Sequence, residues 1–204
     1  MSAKVVPLTT QAIRGVVDVH IRAFPDFFLT FLGPGFLKVF YKSFLYDDQG
    51  IGFIATENGR IVGAIVGPLK PDGYFRRLLL RKWYAFCFAS IWAVLKKPKV
   101  IKRLLRAVFY RGQAPAGKDR ALLSSIAVSP DAQGKGVGKA LVMKWLDAVS
   151  ARGGKGAYLT TDVGNNDTVN SFYQSLGWKV ESTYETSEGR KMNRYVYDFE
   201  ESGT

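Results

Sequence analysis

The sequence is poor in the residues that build disulfides and metal sites. It contains one cysteine, Cys87, and one histidine, His20, among 204 residues. One cysteine cannot support a disulfide framework, and one cysteine with one histidine does not provide the ligand spacing of a zinc site. We therefore expect a reducing compartment and no bound metal.

The sequence also lacks the segments that export a protein or carry it through a bilayer. Residues 1–8 contain neither a basic region followed by an apolar core nor a cleavage site, which leads us to expect a cytoplasmic protein. The uncharged, aromatic stretch 83–95 has thirteen residues, whereas a spanning helix takes about 20.

Acidic residues are nearly missing from one segment. Between Pro68 and Arg120 there are 14 Lys and Arg but only 2 Asp, so this segment holds the whole formal charge of +12. Its periodicity predicts helices over 74–95 and 99–110. A basic rim around an apolar helix is typical of contact with an anionic membrane surface, here through 74–111 on the inner face. A helical lid packed over the active site is the first alternative and an oligomer contact is another, whereas no RNP-like or zinc motif supports nucleic-acid binding.

The remaining composition is that of an ordinary globular domain. With 47% apolar and 14% aromatic residues, we expect one domain over 1–204 that carries an inserted helical segment at 68–120. Apolar patterns predict strands over 5–8, 51–56, 60–67, 121–128, 157–162, 178–184 and 192–199, and helices over 10–23, 36–46, 137–150 and 166–176. Thr10 is the expected cap of the first helix, and Asn58-Gly59 predicts a hairpin.

The most informative motif is the glycine turn Gln133-Gly134-Lys135-Gly136-Val137-Gly138, between a predicted strand and a predicted helix. Alternate glycines allow backbone dihedrals that other residues avoid, so successive N–H groups can converge on an anion at the helix N-terminus. The spacing matches neither the dinucleotide fingerprint nor a P-loop. The turn therefore predicts a pyrophosphate site for a cofactor other than a dinucleotide.

Two motifs resemble those of the GNAT superfamily of acyl-CoA-dependent N-acyltransferases. The stretch 124–138, SSIAVSPDAQGKGVG, resembles the family's fourth strand and its Q/R-x-x-G-x-G/A turn. The stretch 166–178, NDTVNSFYQSLGW, resembles its N-x-x-A-x-x-F-Y-x-x-x-G-F segment. The resemblance implies an α/β (α+β) fold with a mixed, mostly antiparallel central sheet flanked by helices, in which the basic insertion separates the third and fourth strands.

The resemblance also implies a role for each matching residue. Strand residues would pair with the pantetheine arm of acetyl-CoA, turn residues would hold its pyrophosphate, and an asparagine would contact it where the central strands diverge. The strand residues are Ile126, Ala127 and Val128. The turn residues are Gln133, Gly134, Lys135, Gly136, Val137, Gly138 and Lys139, and the asparagine is Asn166. Tyr173 would donate a proton to the departing thiolate, because a phenol with a pKa near ~10 is protonated at neutral pH. By helical spacing alone, Tyr173 also fits a core aromatic.

The residues leave open which group acts as the general base. Many members of the family carry a glutamate on the fourth strand, where this chain has Ser124 and Ser125. The alternatives are water held by either serine, Asp162 at the end of the next strand, or His20, which titrates near neutrality. Asp162 also fits a carboxylate that stabilises a turn or caps a helix, and a lone helix histidine such as His20 is more often structural.

These features together predict an N-acetyltransferase that moves the acetyl group of acetyl-CoA to a primary amine by direct attack. We expect His20, Phe28 and Phe31 to border the acceptor site, because they lie in or beside the aromatic segment 24–31. A basic insertion suits an anionic acceptor such as an amino sugar or a polysaccharide precursor. The alternatives are a protein or small-molecule amine, or a non-catalytic protein that binds CoA or a membrane surface.

Overall fold

The computed structural model describes residues 3–78, 80–81, 119–186 and 189–199, and only the backbone of Phe28. Its strands are β1 Lys4–Pro7, β2 Gly50–Glu57, β3 Arg60–Pro68, β4 Arg120–Leu122, β5 Ser125–Val128, β6 Gly156–Asp162, β7 Lys179–Glu185 and β8 Lys191–Asp198. Its helices are α1 Ile13–Ala23, α2 Phe28–Phe31, α3 Gly33–Tyr46, α4 Val137–Ala151 and α5 Asp167–Ser175, with a 3-10 turn at Pro130–Ala132.

The strands form two four-stranded sheets. The first has the order β1-β2-β3-β5 and the second the order β4-β6-β8-β7. Strand β4 runs parallel to β6, and the other pairings are antiparallel. The predicted mixed, mostly antiparallel architecture with flanking helices is therefore confirmed.

The single strand predicted over 121–128 is wrong, because the chain changes sheets within it. Strand β4 pairs with β6, with Arg120 opposite Gly156, whereas β5 pairs with β3, with Ser125 opposite Val66. Leu123 and Ser124 lie between the two strands. One regular strand cannot follow two partners that diverge, so the ladder is interrupted there.

Two predicted helix boundaries are also wrong. Helix α3 starts at Gly33 and not at Phe36, with a proline in its first turn. The missing N–H of Pro34 costs nothing there, because the first N–H groups of a helix have no partner within it. Helix α1 starts at Ile13 with Ala12 at the N-cap position, so Thr10 does not cap it.

The core has two clusters, one on each face of the first sheet. One cluster joins α1 and α3 to the sheet through residues such as Val17, Leu37 and Ile54. The other joins α4 to the opposite face and continues to the second sheet. The face of α4 that periodicity predicted is buried, namely Val137, Leu141, Val142, Trp145, Leu146 and Val149. The hairpin at Asn58-Gly59 is confirmed, with φ angles of 50° and 74°.

Most of the basic insertion lies outside the described residues, and with it most of the predicted helices over 74–95 and 99–110 and of the proposed membrane contact over 74–111. Residues 74–78 are helical. Tyr74 is buried and stacks on Phe44, with 5.4 Å between ring centroids. Within the described ranges, no helix has both the length and the apolar character needed to cross a bilayer.

Candidate active site

The two sheets separate at two consecutive residues. The N–H of Leu123 donates to the carbonyl of Tyr158 in the second sheet at 3.0 Å. The next N–H, that of Ser124, donates to the carbonyl of Val66 in the first sheet, also at 3.0 Å. Beyond this point β5 is the edge strand of the first sheet, and β6 follows the second sheet away from it. A gap between two central strands therefore begins at Ser124.

The open edge of β5 presents the backbone groups of two predicted cofactor residues. The N–H of Ser129 donates to Val62 of β3 at 2.8 Å. Because an antiparallel strand alternates between residues bonded to its partner and residues that face away, Ile126 and Val128 face the gap. Ala127 lies two residues before Ser129, so by the same alternation its backbone faces its partner Ala64 in β3. The side chain of Gln133 donates to the carbonyl of Val128 at 3.1 Å and connects the following turn to this edge.

The glycine turn leads directly into α4. Gly134 and Gly136 have φ angles of 74° and 79°, and a Cβ at either position would contact nothing within 4 Å. Glycine is therefore required at both positions by the backbone conformation. Steric crowding does not require it, because a Cβ would have space there. The first intrahelical bond runs from the Ala140 N–H to Gly136, so the N–H groups of residues 137–139 have no partner within the helix. No side chain caps α4, and its first turn has no acidic residue, which leaves a site suited to an anion.

Gly138 has a different function from the other glycines of the turn. A Cβ at this position would lie 3.3 Å from the ring of Phe172 in α5. The missing side chain lets the start of α4 approach α5, which carries Tyr173. The predicted cofactor turn and the predicted proton donor are therefore held on adjacent helices.

Tyr173 is buried, with 5% of its surface exposed. Its ring packs against Trp178 and Tyr195, with centroid distances of 5.7 and 6.0 Å. Burial raises the pKa of the Tyr173 phenol above its ordinary value of 10. The phenol therefore keeps its proton at neutral pH, as a proton donor must, and it is also part of the aromatic core.

Asp162 and Asn166 belong to a polar cluster at the end of β6. Two guanidinium nitrogens of Arg190 contact the Asp162 carboxylate, the closest at 2.6 Å. The Asn166 amide donates to Thr161 Oγ1 at 2.5 Å and to the Asp162 carbonyl at 3.2 Å, and Asn170 donates to the same carbonyl. The Asp162 carboxylate is thus ion-paired, which makes it a poor candidate for the base.

Ser125 and His20 are connected through a third residue, Tyr41 of α3. The Tyr41 hydroxyl lies 2.8 Å from His20 Nδ1 and 3.2 Å from Ser125 Oγ. His20 and Tyr41 are fully buried, with 1% and 0% of their surfaces exposed. Burial lowers the pKa of His20 from 6.5 to about 4, so its ring is neutral at pH 7.

The aromatic segment forms the surface next to His20. The Phe24 ring lies 5.2 Å from the imidazole, and the Phe27 ring lies 6.2 Å from it. Phe27 and Phe31 are about half exposed, as expected for residues that border an open site. The side chain of Phe28 lies outside the described part of the chain.

Comparison with protein families settles what kind of scaffold carries these features. The model of the acetyltransferase (GNAT) family matches residues 17–178. This range contains the open edge of β5, the glycine turn and Tyr173. The chain belongs to the GNAT acetyltransferase family. It is therefore an acyl-CoA-dependent N-acyltransferase, and acetyl-CoA is its acyl donor.

Solved GNAT structures share the fold of this chain at low sequence identity. The ribosomal-protein-S18-alanine N-acetyltransferase from Escherichia coli is 18% identical with a TM-score of 0.61, over 98% of this chain and 96% of that one. A putative streptothricin acetyltransferase from Bacillus anthracis, solved with acetyl coenzyme A, is 15% identical with a TM-score of 0.52, over 78% and 68%. Ard1 from Thermoplasma volcanium is 12% identical with a TM-score of 0.61, over 98% of this chain and 100% of that one.

Sequence reasoning missed two residues of this GNAT site, Tyr41 and Arg190. Tyr41 lies at helical spacing from Leu37 and Phe44, so its pattern indicates only a core position. Arg190 lies in the last hairpin, 28 residues from its partner Asp162. The pairing across the sheet that brings them together has no local signal.

Proposed function

We propose that this GNAT member acetylates a primary amine by direct attack on acetyl-CoA, within the gap between β5 and β6. One observation carries the proposal: the open edge of β5 leads into an uncapped helix start, with a buried tyrosine on the adjacent helix. Acetyl-CoA supplies the activated thioester. The backbone groups of Ile126 and Val128 would bind the pantetheine arm as an added strand, as GNAT membership implies.

The glycine turn would bind the pyrophosphate. The N–H groups of residues 137–139 lack partners within α4, and Gly134 and Gly136 leave the space above the turn free. The exposed Lys135 and Lys139 add positive charge. These residues fit a diphosphate without rearrangement, because neither a side chain nor an acidic group competes for the helix N-terminus.

Tyr173 would act as the general acid and Ser125 would receive the acceptor amine. When the C–S bond breaks, the departing thiolate needs a proton, which the protonated Tyr173 phenol can donate. Ser125 lies where the two sheets begin to separate, and its hydroxyl can accept a hydrogen bond from the amine. Asp162 is left out of this mechanism because Arg190 neutralises it.

For the acceptor we propose an amine on an anionic molecule, such as an amino sugar phosphate. The support is the excess of positive charge between Pro68 and Arg120. Arg120 does not contribute to this attraction, because Asp198 and Glu181 pair with it. The charge of the other basic residues would raise the local concentration of an anion and would be screened by salt.

The first test is calorimetric titration of acetyl-CoA into the wild type and two glycine variants. Gly136→Glu places a carboxylate at the turn, and Gly59→Glu is its matched control, since Gly59 also has a positive φ angle, 74°, and a Cβ there meets no described atom within 4 Å. We expect micromolar binding that Gly136→Glu abolishes and Gly59→Glu preserves. Absence of binding in the wild type would contradict the proposed site.

The second test measures thiol release with glucosamine 6-phosphate, glucosamine and a peptide with an N-terminal alanine. An anionic acceptor predicts a KM for the phosphate sugar at least about tenfold lower than for glucosamine at low salt. A preference for the peptide would favour a protein acceptor instead. Acetyl-CoA binding without turnover of any amine would favour the non-catalytic alternative.

The proposed contact of 74–111 with a membrane surface is tested separately by cosedimentation. Binding to anionic vesicles, but not to neutral ones, is the expected result if this segment lies on the inner membrane face. Equal behaviour with both kinds of vesicle would contradict it.

A further inference from the structure

Three side chains from three separate elements form a continuous hydrogen-bonded chain that ends at the candidate acceptor site. Ser125 lies on β5, Tyr41 on α3 and His20 on α1, and the two links measure 3.2 and 2.8 Å. Tyr41 and His20 are 0% and 1% exposed. Neither the fold nor the cofactor site accounts for a buried row of hydroxyl, phenol and imidazole at this position.

The distribution of protons in this chain follows from its surroundings. Burial keeps the imidazole neutral, with its pKa lowered to about 4, and raises the pKa of the Tyr41 phenol above its ordinary value. A neutral imidazole carries one proton, on Nδ1 or on Nε2. With the proton on Nε2, the Tyr41 hydroxyl donates to Nδ1 and accepts from Ser125. Ser125 Oγ then has only lone pairs left for the acceptor site.

The surroundings of Nε2 favour this arrangement. Nε2 is buried and has no hydrogen-bond partner among the described residues, and the Phe24 ring lies 5.2 Å from the imidazole at an angle of 61°. An aromatic face is negative, so an N–H directed at the face of one of these rings would cost less than an unpaired lone pair. On this ground we assign the proton to Nε2, and the first test below measures this tautomer.

We propose that Ser125, Tyr41 and His20 form a relay that removes a proton from the acceptor amine as it is acetylated. As the new C–N bond forms, the amine proton passes to Ser125 Oγ, the serine proton to the Tyr41 oxygen, and the tyrosine proton to His20 Nδ1. The C–S bond breaks and the thiolate takes its proton from Tyr173. Solvent then returns a proton to Tyr173, and after product release the His20 proton passes back through Tyr41 and Ser125 to solvent, which restores neutral His20 and balances the protons. The relay rests on the proposed acetyl transfer, with Tyr41 and His20 as positioning residues behind Ser125.

The weakness of His20 as a base determines when the relay acts. An alkylammonium with a pKa near ~10 cannot transfer its proton to an imidazole with a pKa of about 4. The amine must therefore enter as the free base. Once bonded to the acyl carbon its nitrogen becomes strongly acidic, and the proton can then leave.

The tautomer of His20 is the first test, and it needs no acceptor. His20 is the only histidine, so a protein labelled with 15N-histidine gives one pair of imidazole nitrogen resonances. We expect the spectrum of a neutral ring with the proton on Nε2, and a shift of the Nδ1 resonance in Tyr41→Phe. A proton on Nδ1 would overturn the relay, because Tyr41 could then not donate to His20.

The second test is kinetic, with whichever of the three probe amines the wild type acetylates fastest. We expect Tyr41→Phe to lower kcat about 10-fold to 100-fold at unchanged acetyl-CoA affinity, and the solvent isotope effect to fall. Tyr74→Phe is the matched control, because it removes another buried hydroxyl of the same core cluster, bonded to Ser43, and should keep the wild-type kcat. Wild-type kcat in Tyr41→Phe would overturn the relay but not the proposed acetyl transfer. Absence of acetyl-CoA binding would overturn the proposed function itself.

Discussion

Arg120 and Asp198 are joined by two parallel hydrogen bonds of 2.6 Å, from Nε to Oδ1 and from Nη2 to Oδ2. The third guanidinium nitrogen donates to Glu181, also at 2.6 Å. Arg120 opens β4, whereas its partners lie in β7 and at the end of β8. One buried side chain therefore fixes the strand that follows the insertion to the last hairpin.

Arg120→Met should destabilise the protein strongly. It removes three charge-assisted hydrogen bonds of a guanidinium that is 3% exposed, although the two carboxylates, 40% and 32% exposed, keep part of their hydration, and we expect a loss of about 2 kcal/mol. Arg190→Met is the matched control, because the Arg190 and Asp162 side chains are 40% and 42% exposed, and such pairs contribute about 0–1 kcal/mol. Urea unfolding measures both free energies. Equal losses of unfolding free energy in the two variants would contradict the importance of burial at Arg120.

Tyr173→Phe should lower kcat by about 100-fold or more, because the thiolate loses its proton donor. The acetyl-CoA dissociation constant should stay close to that of the wild type. Tyr158→Phe serves as a control, since Tyr158 is another buried phenol, whose pKa burial raises to about 12, but it lies in β6. Steady-state assays together with calorimetry separate the two quantities. An unchanged kcat in Tyr173→Phe would assign this residue to the core alone.

Gly67→Ala should prevent stable folding or lower the melting temperature sharply. A Cβ at Gly67 would lie 2.0 Å from the carbonyl oxygen of Leu122 and 2.8 Å from the Trp145 ring. Neither the backbone of β4 nor a fully buried tryptophan can move without disturbing the core. Gly164→Ala should be nearly neutral, because a Cβ there meets nothing within 4 Å. Thermal unfolding of the two variants provides the comparison.

His20 should make the protein less stable as the pH falls. Its pKa is about 4 in the folded protein against 6.5 without burial, so between these values the unfolded chain binds a proton that the folded protein does not. The loss begins below about pH 6.5, is complete near pH 4, and amounts to about 3 kcal/mol. His20→Asn lacks this proton, and its free energy of unfolding should fall less over the same range. If the free energies of unfolding of the wild type and His20→Asn fell in parallel with pH, a neutral, buried His20 would be contradicted.

Local signals in the sequence predicted local structure well. Asn58-Gly59 adopts the positive φ angles that its hairpin requires, and Gly177 ends α5 with a φ angle of 85°. Apolar spacing identified the buried face of α4 because a helix repeats every 3.6 residues whatever it packs against. The motifs around Gly136 and Tyr173 were sufficient to predict the family.

Features that depend on distant partners were not predictable in the same way. The apolar run 121–128 gives no sign that its halves pair with different sheets. The link between His20 and Ser125 depends on how α1 and α3 pack, and Tyr41 shows only a core pattern. Charge counting assigned Arg120 to the basic insertion, but its guanidinium pairs with Asp198 and Glu181.

The two ends of the insertion are anchored independently of what lies between them. Tyr74 is stacked on Phe44 before it, Arg120 is fixed by Asp198 after it, and Arg77 and Asp119 line the same cavity. These contacts fix the two ends of the segment to the described core. In evolutionary terms, if this segment selects the acceptor as proposed, acceptor choice could change while the glycine turn is preserved, because the two lie in separate parts of the sequence.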